Sequence, residues 1–139
     1  MNNLASTCWQ RGRLQDTEAL EVEVLTIRKR VLGEDHPETL NSMNNLATTY
    51  RTQGLLQKAE ALDMQAVHRR KKLLGKEHPD TLISIGNLAS TYRKQGRLQH
   101  TEVLELQVLE ANQRLLGEKH PYTLISINNL ASTYQKQDR

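Results

Sequence analysis

The chain has 139 residues, of which 25% are charged and 37% apolar, and its 19 basic and 16 acidic side chains give a formal net charge of +3. This near balance does not indicate a nucleic-acid partner, and no run of about 18 apolar residues occurs that could span a bilayer. The first residues lack the basic flank and long apolar core of a signal peptide, so we expect a cytoplasmic protein.

The predicted elements alternate between two kinds of helix, called A and B. The chain begins part way into an A helix that ends at Gly12, and a B helix follows up to Gly33. The next A helix begins at Pro37, the residue type favoured at the first helical position, and ends at Gly54. Its apolar residues recur at helical spacing, as Leu40, Met43, Leu46, Ala47 and Tyr50. The same signals continue to the end of the chain and predict seven helices in the order A-B-A-B-A-B-A.

A repeat of 42 residues underlies this alternation. The segments Gly33–Leu40, Gly75–Leu82 and Gly117–Leu124 share the pattern Gly-x-x-His-Pro-x-Thr-Leu, and Asn-Leu-Ala recurs at the same step. Such self-similarity is typical of stacked units that bury their apolar faces against their neighbours. We therefore expect one all-α repeat domain over 1–139, an α-solenoid of antiparallel helix pairs with units 2–43, 44–85, 86–127 and a partial unit 128–139.

The three histidines before the prolines raise the question of a metal site. Equivalent helices of stacked units lie at least about 8–10 Å apart, whereas zinc ligands all lie within about 2 Å of one ion. We therefore expect His36, His78 and His120 to help cap the A helices. The sequence has no phosphate-binding glycine loop, no His-Glu-x-x-His helix and no nucleophile elbow, so we expect no cofactor, no metal and no enzymatic activity.

The residues Leu46-Ala-x-x-Tyr50, with a later Gly54 and Ala59, resemble the tetratricopeptide repeat. The 42-residue unit with Asn-Asn-Leu-Ala and Gly-x-x-His-Pro-x-Thr-Leu is similar to the repeats of kinesin light chains, and still more to the C-terminal arrays of fungal and bacterial NACHT or NB-ARC signalling ATPases. This resemblance implies a right-handed superhelix whose A helices line the concave surface.

The face of the A helices opposite the apolar stripe would then line a groove. It carries Asn3 in the first A helix, Asn41, Asn45 and Thr48 in the second, Ile83, Asn87, Ser90 and Lys94 in the third, and Ile125, Asn129, Ser132 and Lys136 in the last. Arg51 and Arg93 lie between this face and the stripe. The amides could pair with the backbone of an extended peptide and the cations could attract acidic residues. The alternative is an ordinary solvated surface.

These expectations lead to two hypotheses of function. The first is a protein-interaction scaffold that binds an extended peptide or a partner protein in the groove, as part of a larger signalling protein. The alternative is a structural spacer or self-assembly module without a specific ligand. The last A helix presents apolar residues to a B helix that the sequence does not supply, so we also expect homo-association through uncapped terminal helices.

Overall fold

A computed structural model describes the backbone of residues 2–137 and the side chains of residues 12–137. The described residues form six helices and no strand. The helices are α1 (Asn2–Leu32), α2 (Pro37–Gln53), α3 (Leu56–Leu74), α4 (Pro79–Lys94), α5 (Leu98–Leu116) and α6 (Pro121–Lys136). The all-α prediction is confirmed, and none of the described helices is long and apolar enough to cross a membrane.

The prediction of seven helices is wrong at the first helix end. Helix α1 continues through Gly12, whose φ is not positive. In contrast, Gly54 and Gly96 follow their A helices with φ of 83° and 80°. Glycine permits a left-handed turn but does not impose one. Continuing the helix instead adds a backbone hydrogen bond per residue.

Helices α2, α4 and α6 begin in the same way. In each, proline occupies the first turn and the preceding histidine is the N-cap in an extended conformation. The Nδ1 atoms of His36, His78 and His120 accept the backbone N–H of the residue two positions later, at 3.1, 3.0 and 3.1 Å. These bonds satisfy a backbone donor that the helix itself leaves without a partner. The predicted capping role of the histidines is therefore confirmed.

The chain divides into two compact units, residues 1–66 and 67–139, with the boundary inside α3. In the first unit, Leu25 of α1 packs with Leu40, Met43 and Leu46 of α2. In the second, a cluster of Val67, Leu82, Ile85, Leu88, Tyr92 and Ala111 joins α3, α4 and α5. The apolar stripes predicted for α2 and α4 thus form the centres of the two cores.

A polar contact to a buried serine accompanies each step from a B helix to the next A helix. Arg28 Nη1 donates to Ser42 Oγ at 2.7 Å, and Arg70 Nη1 donates to Ser84 Oγ at 2.8 Å. Helix α5 has Asn112 at this position, and its Nδ2 donates to Ser126 Oγ at 2.9 Å. The serines are buried although they are polar. Because a buried donor without a partner costs free energy, these pairs favour one register between the two helices.

Candidate functional site

A cleft of about 340 Å³ lies in the second unit, among α4, α5 and α6. Its apolar wall consists of Leu82, Ile83, Val108, Leu115, Leu116 and Ile125. Pro79, His120 and Tyr122 complete the wall at the starts of α4 and α6. Its volume falls in the range of about 300–1,000 Å³ that small-ligand sites occupy. We refer to this site below as the cleft.

The polar groups of the cleft are few. Asn112, Ser126 and Asn129 supply them, together with His120 and Tyr122. The Asn112 amide donates to Ser126 Oγ, and Ser126 Oγ donates in turn to the Tyr122 carbonyl at 3.0 Å. Asn129 is exposed at the cleft. The cleft therefore suits an apolar group accompanied by an amide-like donor or acceptor, because its lining has no lysine, arginine or carboxylate to pair with a charge.

A smaller recess of about 20 Å³ shares Val108, Ser126 and Asn129 with the cleft. Gly86 lines it together with Ala89 and Glu105. A Cβ atom built on Gly86 would meet no heavy atom within 4 Å, so the glycine leaves open space here. The equivalent residues in the neighbouring repeats are Asn44 and Asn128, whose larger side chains would project from this position of the helix.

Three of the residues predicted to bind a ligand lie together in the lining of the cleft. Ile83, Ile125 and Asn129 line it, and both isoleucines are 54% exposed. Asn87 and Ser90 are half-buried on α4 and do not line the cleft. Lys94, Ser132 and Lys136 are exposed nearer the ends of α4 and α6, and they are also outside its lining.

The remaining amide and hydroxyl candidates belong to the first unit. Asn41, Asn45 and Thr48 are exposed on α2, as the helical period predicts. Thr48 Oγ1 donates to the Asn44 carbonyl at 3.0 Å and accepts from Arg51 Nη2 at 2.9 Å. The side chain of Asn3 lies outside the described residues. These positions stay predictions of a binding face.

The two candidate arginines are engaged between helices. Arg51 is 8% exposed, and its Nη1 lies 3.0 Å from Asp63 Oδ2 on α3. Arg93 forms the equivalent ion pair with Glu105 on α5. Removing one partner of such a buried pair leaves an uncompensated charge, so these arginines hold an A helix to its B helix. We therefore exclude them from the ligand-binding residues proposed below.

Sequence reasoning missed the part of the cleft that α5 and the start of α6 supply. Val108, Leu115, Leu116 and Tyr122 line the cleft, yet none was predicted as a site residue. One signal was present, because adjacent leucines lie 100° apart around a helix and cannot both face one narrow core stripe. Leu115 and Leu116 are 49% and 41% exposed.

The described side chains offer no metal centre. Among residues 12–137, no group of three or more His, Cys, Asp or Glu side chains is placed to hold an ion. The three capping histidines each use Nδ1 for a backbone N–H. The groups that line the cleft can bind a ligand by shape and by hydrogen bonds.

Comparisons with known proteins agree with this geometry. Two family models described as tetratricopeptide repeat match residues 1–72 and residues 81–122. A crystal structure of a Podosopora anserina protein, described as a putative kinesin light chain with nearly identical TPR-like repeats, is 34% identical with a TM-score of 0.85. A second crystal structure, of a variant of that protein, is 33% identical with a TM-score of 0.80. No curated protein matches the chain.

The chain covers only part of these structures. It aligns over 99% and 97% of its own length with the two Podosopora anserina structures, but over 65% and 64% of theirs. BtubC (BKLC) from P. vanneervenii shares the fold at 20% identity and a TM-score of 0.82, over 91% of this chain and 51% of that one. The 42-residue period, the capped A helices and these matches together show that the chain belongs to the tetratricopeptide-repeat family, whose members generally act as protein-interaction scaffolds.

Proposed function

We propose that the chain binds an extended peptide of a partner protein at the cleft, with one large apolar side chain of the peptide inside it. The observation that carries this proposal is the combination of an apolar wall around about 340 Å³ with Asn129 exposed at the cleft. A peptide needs both features, because its side chains contribute hydrophobic burial and its backbone requires hydrogen-bond partners.

The charges near the cleft support an uncharged anchor residue in the peptide. The lining has no carboxylate, lysine or arginine, so a buried ammonium group would have no carboxylate beside it and a buried carboxylate would have only His120. The exposed Lys94 and Lys136 on α4 and α6 lie outside the lining and could contact acidic residues that flank the anchor. We propose that they affect the association rate more than the affinity.

The test begins with a random-peptide display library selected against the chain. We expect enrichment of peptides that carry a large apolar residue, and the enriched peptide then serves as the probe in calorimetry. Asn129→Ala should weaken its binding by about 1–2 kcal/mol, the usual cost of losing a buried hydrogen bond. Asn128→Ala is the matched control, since Asn128 is the adjacent, exposed amide and does not line the cleft.

Two results would count against the proposal. Equal losses in the two asparagine variants would show that the cleft does not contact the peptide. If no peptide is enriched, the alternative of a spacer or self-assembly module is favoured. Circular dichroism of each variant separates these outcomes from unfolding, because both asparagines are exposed and their replacement should leave the melting curve unchanged.

A further inference from the structure

Gly86 lies in the interior of α4, between Pro79 and Lys94. Glycine is a poorer helix former than alanine, so its presence in the middle of a helix needs a reason. Its φ is not positive, and a Cβ atom built on it would meet no heavy atom within 4 Å. Neither the backbone conformation nor the packing of α4 therefore requires glycine at this position.

The equivalent residue one repeat earlier shows where a side chain at this position is directed. Asn44 of α2 is half-buried, and its Oδ1 atom is out of contact with solvent. The side chain therefore reaches into the protein and not into water. On α4, Gly86 has no side chain to fill such a space, and the recess of about 20 Å³ lies beside it.

The recess adjoins the cleft. Val108, Ser126 and Asn129 line both of them, so a ligand group that occupies the cleft can extend into the recess. A cavity of about 10–15 Å³ holds one water molecule, so the recess has room for one group of that size. The methyl group at the end of an apolar side chain is such a group.

The polar groups around the recess already have partners within the protein. Glu105 pairs with Arg93 and accepts the Thr133 hydroxyl. Ser126 Oγ accepts the Asn112 amide at 2.9 Å and donates to a backbone carbonyl at 3.0 Å. An apolar group in the recess therefore breaks none of these hydrogen bonds and leaves none of these groups without a partner.

We propose that the recess receives the terminal methyl group of the anchor side chain, and that Gly86 thereby sets the length of the anchor that the cleft accepts. This inference rests on the peptide binding proposed for the cleft. It adds the shape of the anchor, which is long, apolar and narrow at its end. Ala89 and Val108 line the recess with the apolar surface that the methyl group contacts.

The proposal predicts opposite effects of one substitution on stability and on binding. Gly86→Ala adds a methyl group beside the recess that meets no other atom of the chain. Because alanine is the better helix former, the melting temperature should rise. The added methyl group takes the space of the anchor's end, so the affinity for a long anchor should fall. A glycine without a role in binding would give the first effect and not the second.

The probe is the peptide enriched in the display experiment, synthesised with norvaline or with norleucine in place of its anchor residue. These two anchors differ by one methylene group. Calorimetry should show that the wild-type chain binds the norleucine peptide about tenfold more tightly than the norvaline peptide. Gly86→Ala should lose this preference, and it should bind the norvaline peptide as tightly as wild type does.

Ser90→Ala is the matched control. Ser90 is half-buried on α4 and lines neither the cleft nor the recess. The substitution also introduces a better helix former, so it reproduces the gain in helix propensity without changing the recess. This variant should keep the wild-type preference for norleucine.

The outcomes separate this inference from the function on which it rests. Equal affinities of the wild-type chain for the two peptides, or a preference that survives in Gly86→Ala, would overturn the inference and leave peptide binding at the cleft intact. A Gly86→Ala chain that melts below wild type would also overturn it, because the space beside residue 86 would then not be open. If display enriches no peptide, the proposed function fails and this inference fails with it.

Discussion

At the scale of single residues, histidine has an unusual task in this chain. The N-cap position is most often held by Ser, Thr, Asp or Asn, whose side-chain oxygens accept a backbone N–H. His36, His78 and His120 perform the same task with Nδ1, within backbone angles that agree to a few degrees. Proline follows each of them and supplies the fixed φ of the first helical residue.

The cap at α4 can be tested by two substitutions at one position. His78→Ala removes the acceptor of the Asp80 N–H, so the free energy of unfolding should fall by about 1 kcal/mol. His78→Asn keeps an acceptor and should restore most of this loss. His68→Ala is the control, because His68 is exposed within α3 and caps no helix. Urea unfolding followed by circular dichroism is the measurement, and equal stability of the alanine and asparagine variants would contradict the capping role.

Sequence reasoning correctly predicted burial and exposure for residues whose environment repeats with the helical period. Leu40, Met43 and Leu46 are buried, and Asn41 and Asn45 are exposed, as the helical period predicts. Sequence reasoning did not predict the buried hydroxyls, since Thr81 and Ser84 are completely buried although their side chains are polar. Ser84 is buried against its partner Arg70 on α3, and periodicity within one helix contains no information about such a partner.

At the scale of helices, specific polar pairs fix how the A and B helices pack. Arg51 binds Asp63 across α2 and α3, and Arg93 binds Glu105 across α4 and α5. Glu105 also accepts the Thr133 hydroxyl of α6, so one carboxylate connects three helices. Sequence reasoning placed these arginines at the edge of the binding face, because the helical period gives a direction around the helix but not the position of the neighbouring carboxylate.

Another ion pair connects helix α5 to the turn before α4. Arg114 donates from both Nη atoms to the carboxylate of Glu77, with Nη1 2.9 Å from Oε1. This hydrogen bond to Arg114 holds the pKa of Glu77 below its ordinary value. The folded state therefore binds fewer protons here than the unfolded state. The contribution of the pair to stability is complete above the ordinary pKa of glutamate and is lost as the pH falls through the lowered one.

We therefore expect a pH-dependent coupling between Glu77 and Arg114. A double-mutant cycle with Glu77→Gln and Arg114→Gln should give a favourable coupling at neutral pH that declines below about pH 4. Both side chains are partly exposed, so the coupling should be small and should also decline with added salt. Thermal melts of the four proteins at several pH values provide the measurement. A coupling that stays constant from neutral to acidic pH would show that the ion pair does not contribute.

The first helix shows a limit of sequence reasoning at this scale. Gly12 occupies the repeat position of Gly54 and Gly96, so the sequence predicted a helix end there. The outcome depends on whether the A segment before the glycine can bury enough surface to stabilise a turn, which is a property of packing. Local signals identify where a helix can end, and the tertiary contacts decide whether it does.

At the scale of the whole molecule, one helix takes part in both compact units. Helix α3 contributes Leu62 beside the apolar cluster of the first unit and Val67 to the cluster of the second. Repeat proteins derive much of their stability from contacts between neighbouring elements. Unfolding of either cluster therefore removes the support of a helix that the other cluster needs, and we expect both units to unfold in one transition.

Two matched core substitutions test this cooperativity. Leu46→Ala in the first unit and Leu88→Ala in the second each truncate a buried leucine, 3% and 6% exposed, and should each cost about 2–5 kcal/mol. Leu73→Ala is the control, since Leu73 is 48% exposed, and surface substitutions usually change stability by about 0.5 kcal/mol or less.

Hydrogen exchange followed by mass spectrometry distinguishes the two units within each variant. Because α3 is shared, Leu88→Ala should accelerate exchange in α2 as well as in α4 and α5, and Leu46→Ala should accelerate exchange in α4 as well as in α2. Circular dichroism should show a single transition, shifted to lower temperature, for both. If Leu88→Ala accelerates exchange only within residues 67–139 and leaves α2 at the wild-type rate, the two units unfold independently, and α3 does not couple them.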